Sequence, residues 1–213
     1  MKVGIVDYGV GNLGSVYRSL EELGVSPVLV DRATDLHGAD CLILPGVGNF
    51  ADCVALLRRG GWVDALQQEV LGFGKPLLGV CLGMQLLADM STEGPEGEAQ
   101  DGVPGLGFVP GRVEHLSTLG CCLRIPHVGW NGVVPKGTSG LFEGISPGTD
   151  FYFVHSYAFT TADAADVLAT TEYGITVTVA VRRGHVWGTQ FHPEKSSRAG
   201  FRLLRNFLSE SPC

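Results

Sequence analysis

Apolar and polar positions follow two different rhythms along this chain. Up to about residue 90, four short and almost unbroken apolar runs, "KVGIV" (2–6), "PVLV" (27–30), "CLILP" (41–45) and "PLLGV" (76–80), alternate with segments of helical spacing near 12–23, 50–71 and 82–90. Runs without a polar face suit strands buried on both sides, and strands alternating with helices build βαβ units around a parallel sheet. A stretch rich in Gly, Pro and Glu, "STEGPEGEAQDGVPGLG" (91–107), reads as a loop. Beyond it come shorter alternating runs, "GRVEHL", "FYFVHSY" and "VLATTEY", and then "TVTVAVRR" and "HVWGTQFH" on either side of Gly184, a hairpin pattern. The last stretch, "SSRAGFRLLRNFLSE", places residues 201, 203, 204, 207 and 208 on one helix face, with Ser196 or Ser197 available as N-cap. The pattern predicts an α/β wound sheet with a parallel core, added antiparallel strands and helices on both faces.

Composition narrows this. With 213 residues, 45% apolar and 17% charged, the chain has material for one such core, so one domain spanning 1–213 is expected. Fifteen Lys and Arg against 22 Asp and Glu give a net charge of −7, and the basic residues are scattered, so the stripe that a nucleic-acid backbone requires is missing. The first residues enter a strand pattern at once and no apolar run approaches 18 residues, which predicts a cytoplasmic chain with neither leader nor membrane span. In that compartment the six cysteines, at 41, 53, 81, 121, 122 and 213, are expected to be reduced thiols. Cys41 and Cys53 fall in core-type patterns. Cys121-Cys122 with His127 lacks paired zinc spacing, so neither a metal nor a cofactor is expected.

One motif points elsewhere at first. In "VGIVDYGVGNLGS" (3–15) the glycines at 9, 11 and 14 have the spacing of a dinucleotide-binding turn, and Asp31 ends the next strand where a ribose-binding carboxylate would stand. Asp7, just before the first glycine, opposes that reading, because it would repel a pyrophosphate from the turn and the helix N-terminus behind it.

The chemistry lies in three other stretches. In "KPLLGVCLGMQLLADM" an apolar strand leads to Gly79, Cys81 and Gly83 at alternate positions and then to a run of helix formers, the nucleophile-elbow pattern with sulfur as the nucleophile. A thiol at a helix N-terminus is drawn towards its thiolate, and the Leu82 amide is placed to meet an oxyanion. In "GTQFHPEKS", Pro193 favours an extended His192, so that His192 and Glu194 project to one side and can serve as base and orienter. In "LILPGVGNF", the backbone of Gly46, Val47 and Gly48 can offer N–H groups to an oxyanion. Each has a plain alternative when taken alone: a buried cysteine in a corner, a solvated strand end, an ordinary turn. Together they describe a Cys-His-Glu triad with an oxyanion hole.

Assembled in this order, "PGVGNF", "GVCLGMQLL" and "QFHPEKS" resemble the class I (triad) glutamine amidotransferases, which share a flavodoxin-like wound sheet. "DYGVGNLGS", "PHVGWN", "YFVHSY" and the lysine of "HPEKS" are similar to the glutaminase subunits of imidazole glycerol phosphate synthase, in histidine biosynthesis. The resemblance implies that Cys81 is the nucleophile, His192 the general base and acid, and Glu194 its orienter. It implies that Gln85 and Glu93 help hold L-glutamine, with the backbone near His155, Ser156 and Tyr157 at its α-carboxylate. It further implies a separate (β/α)₈ cyclase subunit as heterodimer partner, which uses the ammonia to make imidazole glycerol phosphate and aminoimidazole carboxamide ribonucleotide. Asn12, Trp130, Tyr152 and Lys195 match positions at that interface and the ammonia passage. Asn49 departs from several relatives. A glutaminase of another pathway, pyridoxal phosphate or anthranilate synthesis, and a cysteine hydrolase of related architecture stay open at this point.

Overall fold

The structure, a computed structural model, describes residues 1–95, 97–137 and 140–210, and of residues 97–101 the backbone. Strands and helices alternate first: β1 (Lys2–Val6), α1 (Leu13–Glu22), β2 (Ser26–Val30), β3 (Cys41–Gly46), α2 (Phe50–Arg59), α3 (Trp62–Leu66), β4 (Leu77–Cys81) and α4 (Leu82–Gln85). Then come β5 (Met90–Gly94), β6 (Gly97–Pro104), β7 (Gly111–His115), β8 (His127–Pro135), β9 (Thr149–His155), β10 (Tyr157–Thr161), β11 (Val167–Glu172), β12 (Thr176–Arg183), β13 (Val186–Thr189) and the closing helix α5 (Ser197–Glu210).

Nine strands form one sheet in the order β2-β1-β3-β4-β13-β12-β11-β8-β9. The five from β2 to β13 are parallel and the other four antiparallel. A second sheet, β10-β7-β5-β6, packs nearby. The period of two along each strand divides the core. Val3, Ile5, Ile43, Leu78 and Val80 meet α1 and α5 on one face, through Val16, Leu20, Leu203, Leu204 and Phe207. Val6, Leu42, Leu44 and Leu77 meet α2 and α3 on the other, with Val113 and Phe159 of the second sheet. Each fully buried aliphatic side chain there contributes about 1.5–3 kcal/mol, which is why the strand runs carry no polar face. The expected wound α/β fold, the hairpin at Gly184 and the buried Cys41 and Cys53 are all present. Cys213 lies outside the described residues.

Four local expectations need correction. The segment 50–71 is broken after α2, because Gly60 and Gly61 interrupt it and Gly61 adopts φ +70°, and it resumes as α3, which runs on into a π-helical turn over Gln67–Gly72. The segment 82–90 is helical only to Gln85: the carbonyls of Leu86, Leu87 and Ala88 accept N–H groups from Leu106, Phe108 and Gly107 instead of continuing the helix. The stretch 91–107 is largely a hairpin, β5 with β6, because β5 is also paired along β7 and this long-range pairing overrides the weak strand preference of its glycines; its Glu96 lies outside the described residues. At the start of α5 the Ser196 hydroxyl is not a cap: it donates to the His192 carbonyl at 2.6 Å and accepts the Tyr152 N–H at 3.1 Å.

The tightest point of the fold is the crossing of β4, α4 and the end of β3. A Cβ on Gly83 would overlap the backbone oxygen of Leu44, and one on Gly79 would lie 2.6 Å from the Gly83 carbonyl oxygen. Neither obstacle is a flexible side-chain end, so Gly83→Ala is expected to cost about 3 kcal/mol or more in urea unfolding or to prevent folding. Gly38→Ala, with open space around the added methyl, is the control and should change stability by less than about 0.5 kcal/mol.

Candidate active site

Sheet register assembles the site. The parallel pairing of β3 with β4 sets Gly46 opposite Cys81, and that of β13 with β4 sets Thr189 opposite Val80. The chain leaving β13 therefore passes Cys81 as Gln190 and reaches His192 two residues later. All three segments emerge from the carboxyl ends of neighbouring parallel strands, where open α/β sheets form their crevices.

Cys81 has φ 57° and ψ −115°, the left-handed region that a non-glycine residue occupies only when its surroundings impose it. It sits 7% exposed at the base of a cavity of about 340 Å³. The cavity walls include Val47, Gly48, Leu82, Gln85, Glu93, His155, Ser156, Tyr157 and His192, all singled out from the sequence, together with Pro126 and Val154, which were not. The helix behind the sulfur is a single turn, so what it offers Cys81 is its few N-terminal amides. The sulfur also interacts with the His192 ring.

His192 Nδ1 lies 2.8 Å from Glu194 Oε1, and the two side chains are 2% and 1% exposed. Pro193 opens the 3₁₀ turn Pro193–Lys195 that carries Glu194. The His192 N–H donates to the Tyr152 carbonyl at 3.0 Å, and with the Ser196 hydroxyl this stitches the turn to β9. Asn12 Nδ2 donates to Glu194 Oε1 at 3.0 Å, so Asn12, marked from the sequence as an interface residue, also steadies the carboxylate. His192 Nε2 is buried with no hydrogen-bond partner among the described residues. Burial alone would depress the imidazole pKa, but the Cys81 sulfur and the Glu194 carboxylate outweigh it and raise the value from 6.5 to about 9. Burial likewise works against the Glu194 charge, and the hydrogen bonds from His192 and Asn12 prevail, holding that carboxyl below its ordinary range.

The oxyanion loop is anchored from behind. The Cys53 thiol donates to the Val47 carbonyl at 3.5 Å, so the N–H of the same trans peptide, that of Gly48, points away from α2 on the side where Gly48 lines the cavity. Gly48 has φ +95°. The next residue, Asn49, accepts the Asp52 N–H as N-cap of α2 and donates to the Gly94 carbonyl at 2.8 Å, which gives it a structural role at the end of the loop. Glu93 Oε2 accepts the Phe50 N–H at 2.9 Å, pinning the start of α2, and burial raises its carboxyl pKa.

Gln85 spends both amide hydrogens inside the protein, on the Tyr157 carbonyl at 3.0 Å and on Gln190 Oε1 at 2.9 Å. Gln190 Nε2 in turn lies 3.9 Å from Cys81 Sγ. Sequence reasoning missed Gln190; the available signal was a lone amide among the apolar residues of "WGTQFH", which a buried strand end tolerates only when it is fully bonded. Outside the triad, Trp130 is 54% exposed with its ring 6.0 Å from Tyr152, and Lys195 Nζ sits 5.8 Å over the Tyr152 ring. The glycine turn after β1 is closed to phosphate: Asp7 Oδ1 already accepts the Gly9 N–H at 3.1 Å, and Asp31 lines the same crevice.

The family model for class-I glutamine amidotransferases matches residues 4–211, and the chain belongs to that family. A solved structure described as a glutamine amidotransferase superposes with a TM-score of 0.74 at 26% identity, covering 98% of each chain. PurLQS from Thermotoga maritima, at 19% identity and a TM-score of 0.73 over 98% of each chain, shares the fold. Among curated proteins, the imidazole glycerol phosphate synthase subunit HisH of Moorella thermoacetica is 46% identical over 96% of this chain and 93% of its own. HisH of Rhodospirillum rubrum is 45% identical over the whole of both. Within the class, the chain belongs with the family of these HisH proteins.

The triad's electrostatics can be read in the stability of the fold. Because His192 holds its proton more tightly folded than unfolded, the pairing stabilises the protein fully below pH about 6.5, and the contribution is lost as pH rises through about 9. Glu194→Gln is expected to lower the urea midpoint at pH 6 by the equivalent of roughly 1–3 kcal/mol, with the difference from the parent shrinking towards pH 9.5. A difference that stays constant across this range would contradict the assignment.

Proposed function

We propose that this chain hydrolyses L-glutamine to glutamate and ammonia through a cysteinyl thioester at Cys81, and delivers the ammonia to a cyclase subunit that makes imidazole glycerol phosphate and aminoimidazole carboxamide ribonucleotide. The observation that carries the reading is the buried His192, tied to Glu194 through Nδ1 and coupled to the Cys81 sulfur, lining one cavity with the strained Cys81.

In this reading the glutamine side chain enters the cavity with its amide carbon at Cys81 Sγ. The sulfur attacks that carbon, and the negative charge passes to the amide oxygen beside the N–H groups of the Gly46–Gly48 loop and Leu82. When the intermediate collapses the C–N bond breaks, and the nitrogen takes the proton from His192 Nε2 and leaves as ammonia. Water then attacks the thioester carbonyl and gives a proton to the same Nε2. The C–S bond breaks, the sulfur is regenerated and glutamate departs. Glu194 keeps the ring oriented and favours its charged form throughout. Gln85, Glu93 and the wall His155–Ser156–Tyr157 hold the glutamine.

A partner subunit is part of the same reading. The relatives are named as subunits of a synthase, and Val128, Trp130 and Val154 of the β8–β9 ribbon are exposed apolar residues beside the site. We place a (β/α)₈ cyclase on this face, with Trp130, Tyr152 and Lys195 around the ammonia exit and Asn12 linking that face to Glu194.

Cys81→Ala is expected to abolish glutamine hydrolysis, a loss of at least about 10⁴-fold, with an unchanged circular dichroism spectrum; residual turnover in the purified variant would sink the mechanism. Ammonia release from glutamine should rise when a HisH-partner cyclase and its nucleotide ligand are added. Stimulation by a different synthase instead would reassign the pathway.

A further inference from the structure

From the cavity wall, where His155 and Tyr157 stand, a chain of polar groups that the proton-transfer steps do not use runs back into the β8–β9 ribbon. His127 and His155 face each other across β8 and β9 as a directly opposed pair, 3% and 6% exposed. His127 Nδ1 is 3.0 Å from His155 Nε2, His155 Nδ1 is 2.8 Å from the Tyr157 carbonyl, and Asn131 Nδ2 is 3.3 Å from His127 Nε2. The His127 ring is held flat between Tyr173 and Phe153, with centroids 3.9 and 4.7 Å away.

The direction of every bond in this chain is forced from both ends. At one end the Tyr157 carbonyl can only accept, so His155 carries its proton on Nδ1, and its Nε2 accepts from His127 Nδ1–H. At the other end the Asn131 amide is fixed: Nδ2 also donates to the Glu172 carbonyl at 3.0 Å, and Oδ1 accepts the Gly132 N–H at 2.9 Å. Asn131 therefore presents a donor to His127 Nε2, which must be bare, leaving the proton on Nδ1. The two derivations agree. A second proton on either ring would meet a donor, and burial accordingly depresses both imidazoles to about 4.

We propose that His127 and His155 are positioning residues: each neutral with its proton on Nδ1, they form a one-way hydrogen-bond relay that ties the exposed β8–β9 ribbon to the backbone wall of the substrate cavity. The relay ends on the Tyr157 carbonyl, which also accepts from Gln85, so it sets the wall residue and the side chain that together shape the glutamine end of the cavity. Its other end is in the strand that carries the exposed Val128 and Trp130. A displacement of the ribbon is transmitted to the pocket through these four hydrogen-bonded groups. The assignment deepens the glutaminase reading and rests on it.

Two measurements on the full chain test this. In ¹⁵N-histidine NMR at neutral pH, His127 and His155, assigned by substitution, are expected as neutral Nδ1–H tautomers; either ring charged or in the Nε2–H form would overturn the relay. The second uses a γ-diazoketone analogue of glutamine, which alkylates an active-site thiol. His127→Phe keeps the stacking and loses the hydrogen bonds, and is expected to raise the half-saturation concentration for Cys81 labelling about tenfold, the worth of one lost hydrogen bond, with the limiting labelling rate within about twofold. His127→Asn, whose amide N–H can replace Nδ1–H, should return to within about threefold of the parent, which a purely structural role would not produce. Saturable labelling of the parent with an unchanged half-saturation in His127→Phe defeats the relay alone. Absence of saturable labelling in the parent defeats the glutamine reading and with it the role assigned to the relay.

Discussion

The contact on which this structure depends is between backbones, where the turn after β4 crosses the end of β3. Gly83 lies so close to the Leu44 carbonyl, and Gly79 to the Gly83 carbonyl, that no side chain fits at either place. That closeness bends the chain at Cys81 into φ 57° and brings the sulfur to the rim of the sheet, with Gly46 beside it by register. A wider crossing would relax Cys81 and draw the oxyanion loop away from it. The strain at Cys81 is of the order of 1–3 kcal/mol, and the large apolar core on both sheet faces holds it in place.

Around this crossing the buried polar groups form bonded sets with few loose ends. Glu194 answers to Asn12 and His192; the His-Pro-Glu turn answers to Tyr152 and Ser196; Gln85 and Gln190 answer to each other. Two of the loose ends belong to the triad: His192 Nε2, the atom that must exchange a proton with the reacting nitrogen, and Glu194 Oε2 are buried with no hydrogen-bond partner among the described residues. An unpaired buried polar atom is costly, and its placement next to the nucleophile is where a catalyst puts that cost to use.

Where the reading of the chain and the structure part, long-range pairing is the cause. The helix expected over 82–90 stops at Gln85 because residues 106–108, far off in sequence, take its carbonyls. The glycine- and glutamate-rich stretch after it is paired as a hairpin because β5 adds to β7, a partner that local composition does not announce. Ser196, suited to a cap, is used to bind β9 to the catalytic turn. Gln190 escaped notice because its value lies in two partners, one 105 positions away and the other 109.

What the sequence determined by itself was whatever depends on neighbours along the chain. The strand runs and their period, the glycines flanking Cys81, the two-residue step from His192 to Glu194 and the excess of acid are local facts, and they carried the wound sheet, the elbow and the family resemblance. Tertiary structure alone decided what depends on register: that Gly46 faces Cys81, that Asn12 reaches Glu194 across 182 positions, and that His127 and His155 meet with a defined proton order. The physical reason is that a hydrogen bond needs its donor and acceptor within about 3 Å, and for these pairs only the folded sheet brings them that close.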